Sequence, residues 1–137
     1  MEREEIKKRI IFLEIENTQL QKSIDNDYEF VREIQTLINR LNAKKSSFVD
    51  ENKKVKHSFL SFDNFDLSNS LKMFFDKINL LCTGPQYFSA LMAFDNAIAD
   101  AQQSKNIKER TIETNKSKKR KNSNEIKRLK QQLNEAI

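Results

Sequence analysis

The chain has 137 residues, of which 33% are charged and 37% hydrophobic, and its formal net charge is +5 at pH 7. Gly, Pro, Cys and His each occur once and Trp is absent. This composition excludes a phosphate-binding loop, which needs several glycines, and a catalytic zinc site, which needs three or more protein ligands. It also excludes a β-sandwich, which needs frequent turn residues. We therefore expect an all-α protein of one domain, with no catalytic residues, no metal site and no cofactor.

The first predicted element is a long helix over about residues 3–61. Steps of four and three residues in alternation lead from Ile6 to Phe62 through seventeen positions, of which thirteen are apolar, whereas the average composition predicts about six. This spacing is the heptad repeat of a coiled coil. The residues at these positions form a continuous apolar strip along one side of the helix, which we call the seam. Because a single long helix cannot bury its seam against itself, a partner helix is required, either from this chain or from another.

Four polar residues interrupt this seam, and they allow two interpretations. Asn17, Asp27, Lys45 and Asn52 stand at positions that are otherwise apolar. Polar residues at single core positions fix the register and orientation of a partner helix. Alternatively, they mark stretches where the helix pairing is loosened and the side chains are solvated.

A second, shorter helix is predicted over about residues 68–82. The segment from Ser61 to Ser70 is rich in residues that favour turns, so the first helix should end there, and Asp66 or Ser68 could cap the next one. Most aromatic residues of the chain lie between Phe59 and Phe94, which predicts the main hydrophobic core in this region. Apolar residues recur in the short helix at spacings of three and four and form one face, which consists of Leu71, Phe74, Phe75, Ile78, Leu81 and Cys82.

A third helix is predicted over about residues 86–136. Pro85 suits its first turn, where a missing N–H costs nothing. The apolar stripe of this helix nearly disappears between Gln102 and Glu125. Since its length is close to that of the first helix, we expect an elongated antiparallel helical hairpin, with the short aromatic helix near the closed end. The apolar seams are predicted to bind partner helices and comprise Ile10, Leu13, Leu20, Ile24, Val31, Ile34, Ile38, Leu41, Phe88, Leu91, Phe94, Ile98, Ile126, Leu129 and Leu133.

Positive charge is concentrated in one part of the third helix. Residues 105–130 contain eleven basic and three acidic side chains, a net charge of +8, which leaves about −3 for the rest of the chain. Such a stripe could bind phosphates. However, no aromatic residue follows Phe94 on which bases could stack. The pattern therefore favours a solvated helix or a surface for an acidic partner over nucleic-acid binding.

The sequence also bears on localisation. The first residues are acidic where a secretion signal would be basic, and no segment approaches the roughly 18 apolar residues of a membrane-spanning helix. We expect a cytoplasmic protein without membrane insertion and without a cleaved signal peptide, which a partner could carry out of the cell.

The turn between the second and third helices carries a resemblance. Cys82, Thr83 and Gly84 end one helix, and aromatic residues begin the next. This layout resembles the helical hairpins of the WxG (ESAT-six-like) family of bacterial type VII secretion, which carry Trp-x-Gly at the turn, although Cys82 replaces the Trp. It is similar over most of the chain to the long-armed accessory proteins that partner LXG toxins.

The resemblance implies a targeting chaperone that binds the helical N-terminal domain of an LXG toxin in a hetero-oligomer, with a second small helical protein as a further candidate partner. Two alternatives remain open. One is a coiled-coil scaffold or dimerisation subunit without a role in secretion. The other is a basic helical nucleic-acid-binding protein that uses residues 105–130.

Overall fold

A computed structural model describes residues 2–60 and 68–135. It contains three helices, α1 (Arg3–Leu60), α2 (Asn69–Thr83) and α3 (Pro85–Glu135). The sequence predicted helices over about 3–61, 68–82 and 86–136. Residues of α1 and α3 contact one another in antiparallel order, so the predicted all-α helical hairpin is confirmed.

The contacts divide the chain into two compact units. Unit 1 comprises Met1–Ile34 and Gln103–Ile137, and unit 2 comprises Gln35–Gln102. Unit 1 therefore pairs the first part of α1 with the last part of α3, while unit 2 holds the remainder of both helices together with α2.

The predicted seam of α1 is the side of the helix that is buried. Of its fifteen described side chains, from Ile6 to Val55, all but Val55 are buried or half-buried. In unit 1 the core cluster joins seam residues of α1 to residues of α3, with Leu129 completely buried. The members of this cluster are Ile6, Ile10, Leu13, Ile126 and Leu129, and Leu133 packs against them.

The seam of α3 is longer than the sequence predicted. Steps of four and three residues from Tyr87 to Leu133 pass through fourteen positions, and every one is buried or half-buried. The apolar stripe appeared to stop after Gln102 because polar side chains occupy the seam there. Lysine can do so because its aliphatic stem covers apolar surface while its ammonium group reaches water. These polar seam residues are Lys105, Lys108, Asn115, Lys119 and Asn122.

Gly84 belongs to the ends of two helices. Its N–H donates to the Leu80 carbonyl at 2.6 Å and its own carbonyl accepts from the Phe88 N–H at 3.3 Å. Its φ of −90° lies outside the left-handed region. A Cβ at this position would lie 2.2 Å from the Leu80 carbonyl oxygen, so close backbone approach is what requires glycine here.

The start of α2 and the start of α3 follow ordinary capping rules. Ser68 is the N-cap of α2 and its hydroxyl accepts from the Leu71 N–H at 3.4 Å. Asp66, the other candidate cap, lies outside the described residues. Pro85 begins α3, where its missing N–H leaves no hydrogen bond unmade. Within the described ranges, no helix has an apolar stretch long enough to cross a membrane.

We predict that Gly84→Ala destabilises the protein. The added methyl group meets the Leu80 carbonyl oxygen, and relief of this clash requires a backbone shift that should cost about 1–3 kcal/mol of unfolding free energy. Urea denaturation followed by circular dichroism measures the change. Ser89→Ala, at an exposed position of α3, is the control and should remain within about 0.5 kcal/mol of the wild type. Equal denaturation midpoints for both variants would contradict the steric explanation.

A second prediction compares two isoleucines of α3 in unit 1. Ile112 is 2% exposed and Ile107 is 52% exposed. Because truncation of a buried side chain leaves a cavity, Ile112→Ala should lower the unfolding free energy by about 2–5 kcal/mol. Ile107→Ala should cost less than about 1 kcal/mol. The same urea experiment tests both, and a similar loss in the two variants would mean that the seam of α3 is placed wrongly.

Candidate partner-binding surfaces

In unit 1, the polar residues of the α1 seam have partners on α3. The Asn17 amide donates to the Ser123 hydroxyl at 3.2 Å. Lys108 Nζ lies 3.4 Å from Asp27 Oδ1, and the Asp27 carboxylate is largely buried. A buried carboxylate without a partner would be costly, so this ion pair favours one alignment of the two helices.

In unit 2, the other two polar seam residues are paired as well. Lys45 Nζ donates to Asp95 Oδ1 on α3 at 2.5 Å, and the Asn52 amide donates to the Cys82 carbonyl of α2 at 2.7 Å. The Cys82 carbonyl lies in the last turn of α2, where backbone carbonyls lack partners within the helix. These contacts favour the register interpretation of the polar seam residues over the interpretation that they are solvated.

Ion pairs also flank the seam of unit 1. Glu14 pairs with Lys130 at 3.4 Å and Glu16 with Lys118 at 3.8 Å. The Asn122 amide donates to Glu16 at 2.8 Å. Such exposed pairs contribute at most about 1 kcal/mol each. They show, however, that carboxylates of α1 lie beside the basic segment of α3, so part of its positive charge is already matched within the chain.

Two lysines of the basic segment, Lys108 and Lys116, lie over aromatic rings of α1. Lys116 Nζ lies 4.9 Å from the centroid of the Tyr28 ring, and Lys108 Nζ lies 5.4 Å from that of Phe30. A hydrogen bond with Tyr28 raises the pKa of Lys116 above its ordinary value, with a smaller contribution from Glu113. The Lys116 ammonium group therefore lies over an aromatic face that stabilises its positive charge.

Most of the predicted partner-binding seam packs within this chain. Ile10, Leu13, Ile24, Ile38, Ile126 and Leu129 are buried, and Leu20, Val31, Ile34, Leu41, Leu91, Phe94, Ile98 and Leu133 are half-buried. A partner helix could contact these side chains only if α1 and α3 separated. The surface available to a partner must therefore lie elsewhere on the protein.

Phe88 is the predicted seam residue that the structure places outside the seam. Its side chain is 56% exposed, and the neighbouring Tyr87 occupies the seam position. The Tyr87 ring stacks on Phe48 of α1 with a centroid distance of 5.5 Å, and Phe48 also contacts Phe94 at 5.8 Å. Tyr87 rather than Phe88 lies in the seam because the seam position four residues before Leu91 is residue 87. Phe88 is therefore left exposed, where a partner could contact it.

The residues of the turn motif lie together between α2 and α3. Cys82 is a buried free thiol, and the Thr83 hydroxyl donates to the Asn79 carbonyl at 2.7 Å. With Gly84, these residues end α2 and begin α3 through hydrogen bonds within the turn.

Exposed apolar side chains lie along α2 and at the start of α3, on both sides of this turn. The sequence predicts that α2 buries an aromatic face. Among the described apolar side chains of α2, however, only Cys82 is buried and only Ile78 is half-buried. The side chain of Phe75 lies outside the described part of the structure. Apolar residues occur on more than one side of α2, so a single packing face cannot bury all of them. We call the exposed apolar residues of α2 and the start of α3 the α2 surface: Leu71, Met73, Phe74, Leu80, Leu81, Phe88 and Met92.

Other kinds of site find little support in the described ranges. No group of three or more His, Cys, Asp or Glu side chains there could hold a metal ion. No protein-family model matches the chain, and no curated protein and no solved structure gives a significant match. The exposed surfaces of the described residues are therefore the features that bear on function.

We predict that the Asp27–Lys108 ion pair stabilises unit 1. Lys108→Ala leaves the largely buried Asp27 carboxylate without this partner, which should lower the unfolding free energy by about 1–3 kcal/mol. Lys54→Ala provides the control, because the Lys54–Glu51 pair is exposed and should contribute less than about 0.5 kcal/mol. Thermal and urea denaturation measure both. If the two variants lose the same stability, the pair has no role in aligning the helices.

Proposed function

We propose that this protein binds a helical segment of a partner protein through the α2 surface. The observation that carries the proposal is the exposure of Met73, Leu80, Leu81, Phe88 and Met92, each of which is more than half accessible. Large apolar side chains gathered in one part of a small protein are typical of an interaction site. The end of α2 is attached to α1 through the buried Cys82, whose carbonyl accepts from the Asn52 amide at 2.7 Å.

An amphipathic helix is the kind of partner that suits this surface. Helices present apolar residues at spacings of three and four, which matches the exposed rows on α2 and at the start of α3. Burial of one half-exposed apolar side chain contributes about 1 kcal/mol. The seven side chains of the α2 surface together contribute about 7 kcal/mol, which has to offset an association cost of about 4–15 kcal/mol. Specific binding therefore requires a partner that covers most of this surface.

The proposed partner is the helical N-terminal domain of an LXG-type toxin. Support comes from the Cys82-Thr83-Gly84 turn, which resembles the turn of WxG proteins, and from its position beside the α2 surface. On this proposal the protein is a small targeting chaperone that accompanies the toxin to a type VII secretion machine. A second small helical protein would be a further member of the same hetero-oligomer.

A pulldown from the native cell tests the proposal. The tagged protein is captured at about 0.5 M salt, which suppresses contacts that depend on exposed charges, and bound proteins are identified by mass spectrometry. We expect a stoichiometric complex with a larger protein that has a helical N-terminal domain. Capture of the chain alone would contradict the chaperone proposal, and retention of nucleic acid only at low salt would favour the basic segment as the binding site.

Two matched variants locate the binding surface. Leu80→Lys places a charge in the α2 surface and should reduce partner recovery about tenfold or more, as expected at the centre of an interface. Ile107→Lys introduces the same charge at an exposed isoleucine of unit 1 and should leave recovery unchanged. Circular dichroism verifies that both variants fold. Recovery that falls only with Ile107→Lys would place the interface on α3 of unit 1.

A further inference from the structure

A second exposed apolar patch lies on α1 in unit 1, on the side opposite the seam. In a heptad whose a and d positions form the seam, positions b, c and f face outward. From Glu4 to His57 these outward positions of α1 carry polar residues or alanine, with three exceptions. Ile11, Phe12 and Ile15 occupy the b, c and f positions of a single heptad and are 57%, 53% and 54% exposed. We call these three residues the outer patch.

The hairpin itself does not account for the outer patch. The neighbours Ile10 and Leu13 are buried in the core cluster, so the patch residues that alternate with them extend away from α3. The Arg9 guanidinium lies 5.3 Å from the centroid of the Phe12 ring, but most of the patch still faces solvent. Three large apolar side chains concentrated in one outward heptad are typical of contact with another helix.

The charges on either side of the outer patch indicate which helix would contact it. The outward positions that precede it are Glu4, Glu5 and Lys8, and those that follow it are Thr18, Gln19 and Lys22. When two copies of α1 lie antiparallel across a two-fold axis near residue 13, Ile11 of each copy meets Ile15 of the other. Glu4 and Glu5 then face Lys22, and Lys8 faces the neutral Thr18 and Gln19. A parallel pair would instead place like charges against each other.

We propose that the outer patch is the centre of a two-fold interface with a second copy of this chain. The arrangement is self-complementary, as an interface between identical subunits must be. Each copy would bury on the order of 300 Å² of apolar side-chain surface, well below the roughly 800 Å² per partner of a stable complex. The dimer is therefore weak, and its flanking ion pairs make it weaker at high salt.

Sedimentation equilibrium of the full chain tests the apolar part of the interface. At about 50 mM salt, where screening is modest, wild-type protein should dimerise at tens to hundreds of micromolar. Ile15→Lys should weaken dimerisation about tenfold or more, whereas Ile107→Lys, at a similarly exposed isoleucine of α3, should not. A monomeric wild type, or equal dimerisation of the Ile15→Lys variant, would overturn the proposal.

Charge reversal tests the antiparallel orientation. Glu5→Lys and Lys22→Glu should each weaken dimerisation about threefold to tenfold at low salt, because each reversal places like charges together at two symmetric sites. The variant that carries Glu4→Lys, Glu5→Lys and Lys22→Glu together, in which every facing pair is again opposite in charge, should dimerise as the wild type does. Lys53→Glu, at an outward position in unit 2, is the control and should have no effect. Single reversals without effect would overturn the antiparallel arrangement.

The result is separable from the function proposed for the α2 surface. In the same experiment Leu80→Lys should leave dimerisation unchanged, because Leu80 belongs to a different surface. If Leu80→Lys abolishes dimerisation and Ile15→Lys does not, the second copy binds through the α2 surface, which overturns the proposal for the outer patch. Partner recovery in the pulldown should likewise be unaffected by Ile15→Lys.

Discussion

Burial of the α1 seam against α3 is the interaction on which the rest of this structure depends. A single helix with apolar residues at thirteen of seventeen heptad positions cannot shield them from water. Here the chain provides the second helix itself, and the completely buried Leu129 shows how closely α3 covers the seam in unit 1. Because the seam is satisfied internally, the surfaces on which a partner can dock are the faces that the hairpin leaves outside.

Polar residues in and beside the two seams favour one alignment of the helices. An apolar seam alone would tolerate displacement by a heptad, since every heptad offers a similar apolar surface. The ion pair of Asp27 with Lys108 and that of Lys45 with Asp95 each link one position of α1 to one position of α3. A displaced alignment would leave these charges without their partners. The apolar residues therefore provide most of the stability, and the polar ones select the alignment.

How much could be predicted from the sequence differed between the two long helices. The seam of α1 is visible because its apolar residues repeat without a long interruption. The seam of α3 cannot be recognised from the sequence where Lys105, Lys108 and Asn115 occupy it. Nothing in the sequence distinguishes a lysine whose stem covers a seam from a lysine in solvent. For the same reason, the spacing in α2 predicts a buried face that includes Leu71, Phe74 and Leu81, whereas these three side chains are exposed. Whether an apolar residue is buried depends on which helix lies opposite, and local sequence does not contain that information.

By itself, the sequence determined that the chain is helical, where α1 carries its seam and where the helices are interrupted, because propensity, heptad spacing and capping are local properties. Only the tertiary structure decided that this seam pairs with α3 of the same chain, that Tyr87 and not Phe88 contacts Phe48, and that the apolar residues of α2 are left on the surface. These outcomes depend on contacts between residues far apart in the chain, where several pairings satisfy the same local pattern and packing selects one of them.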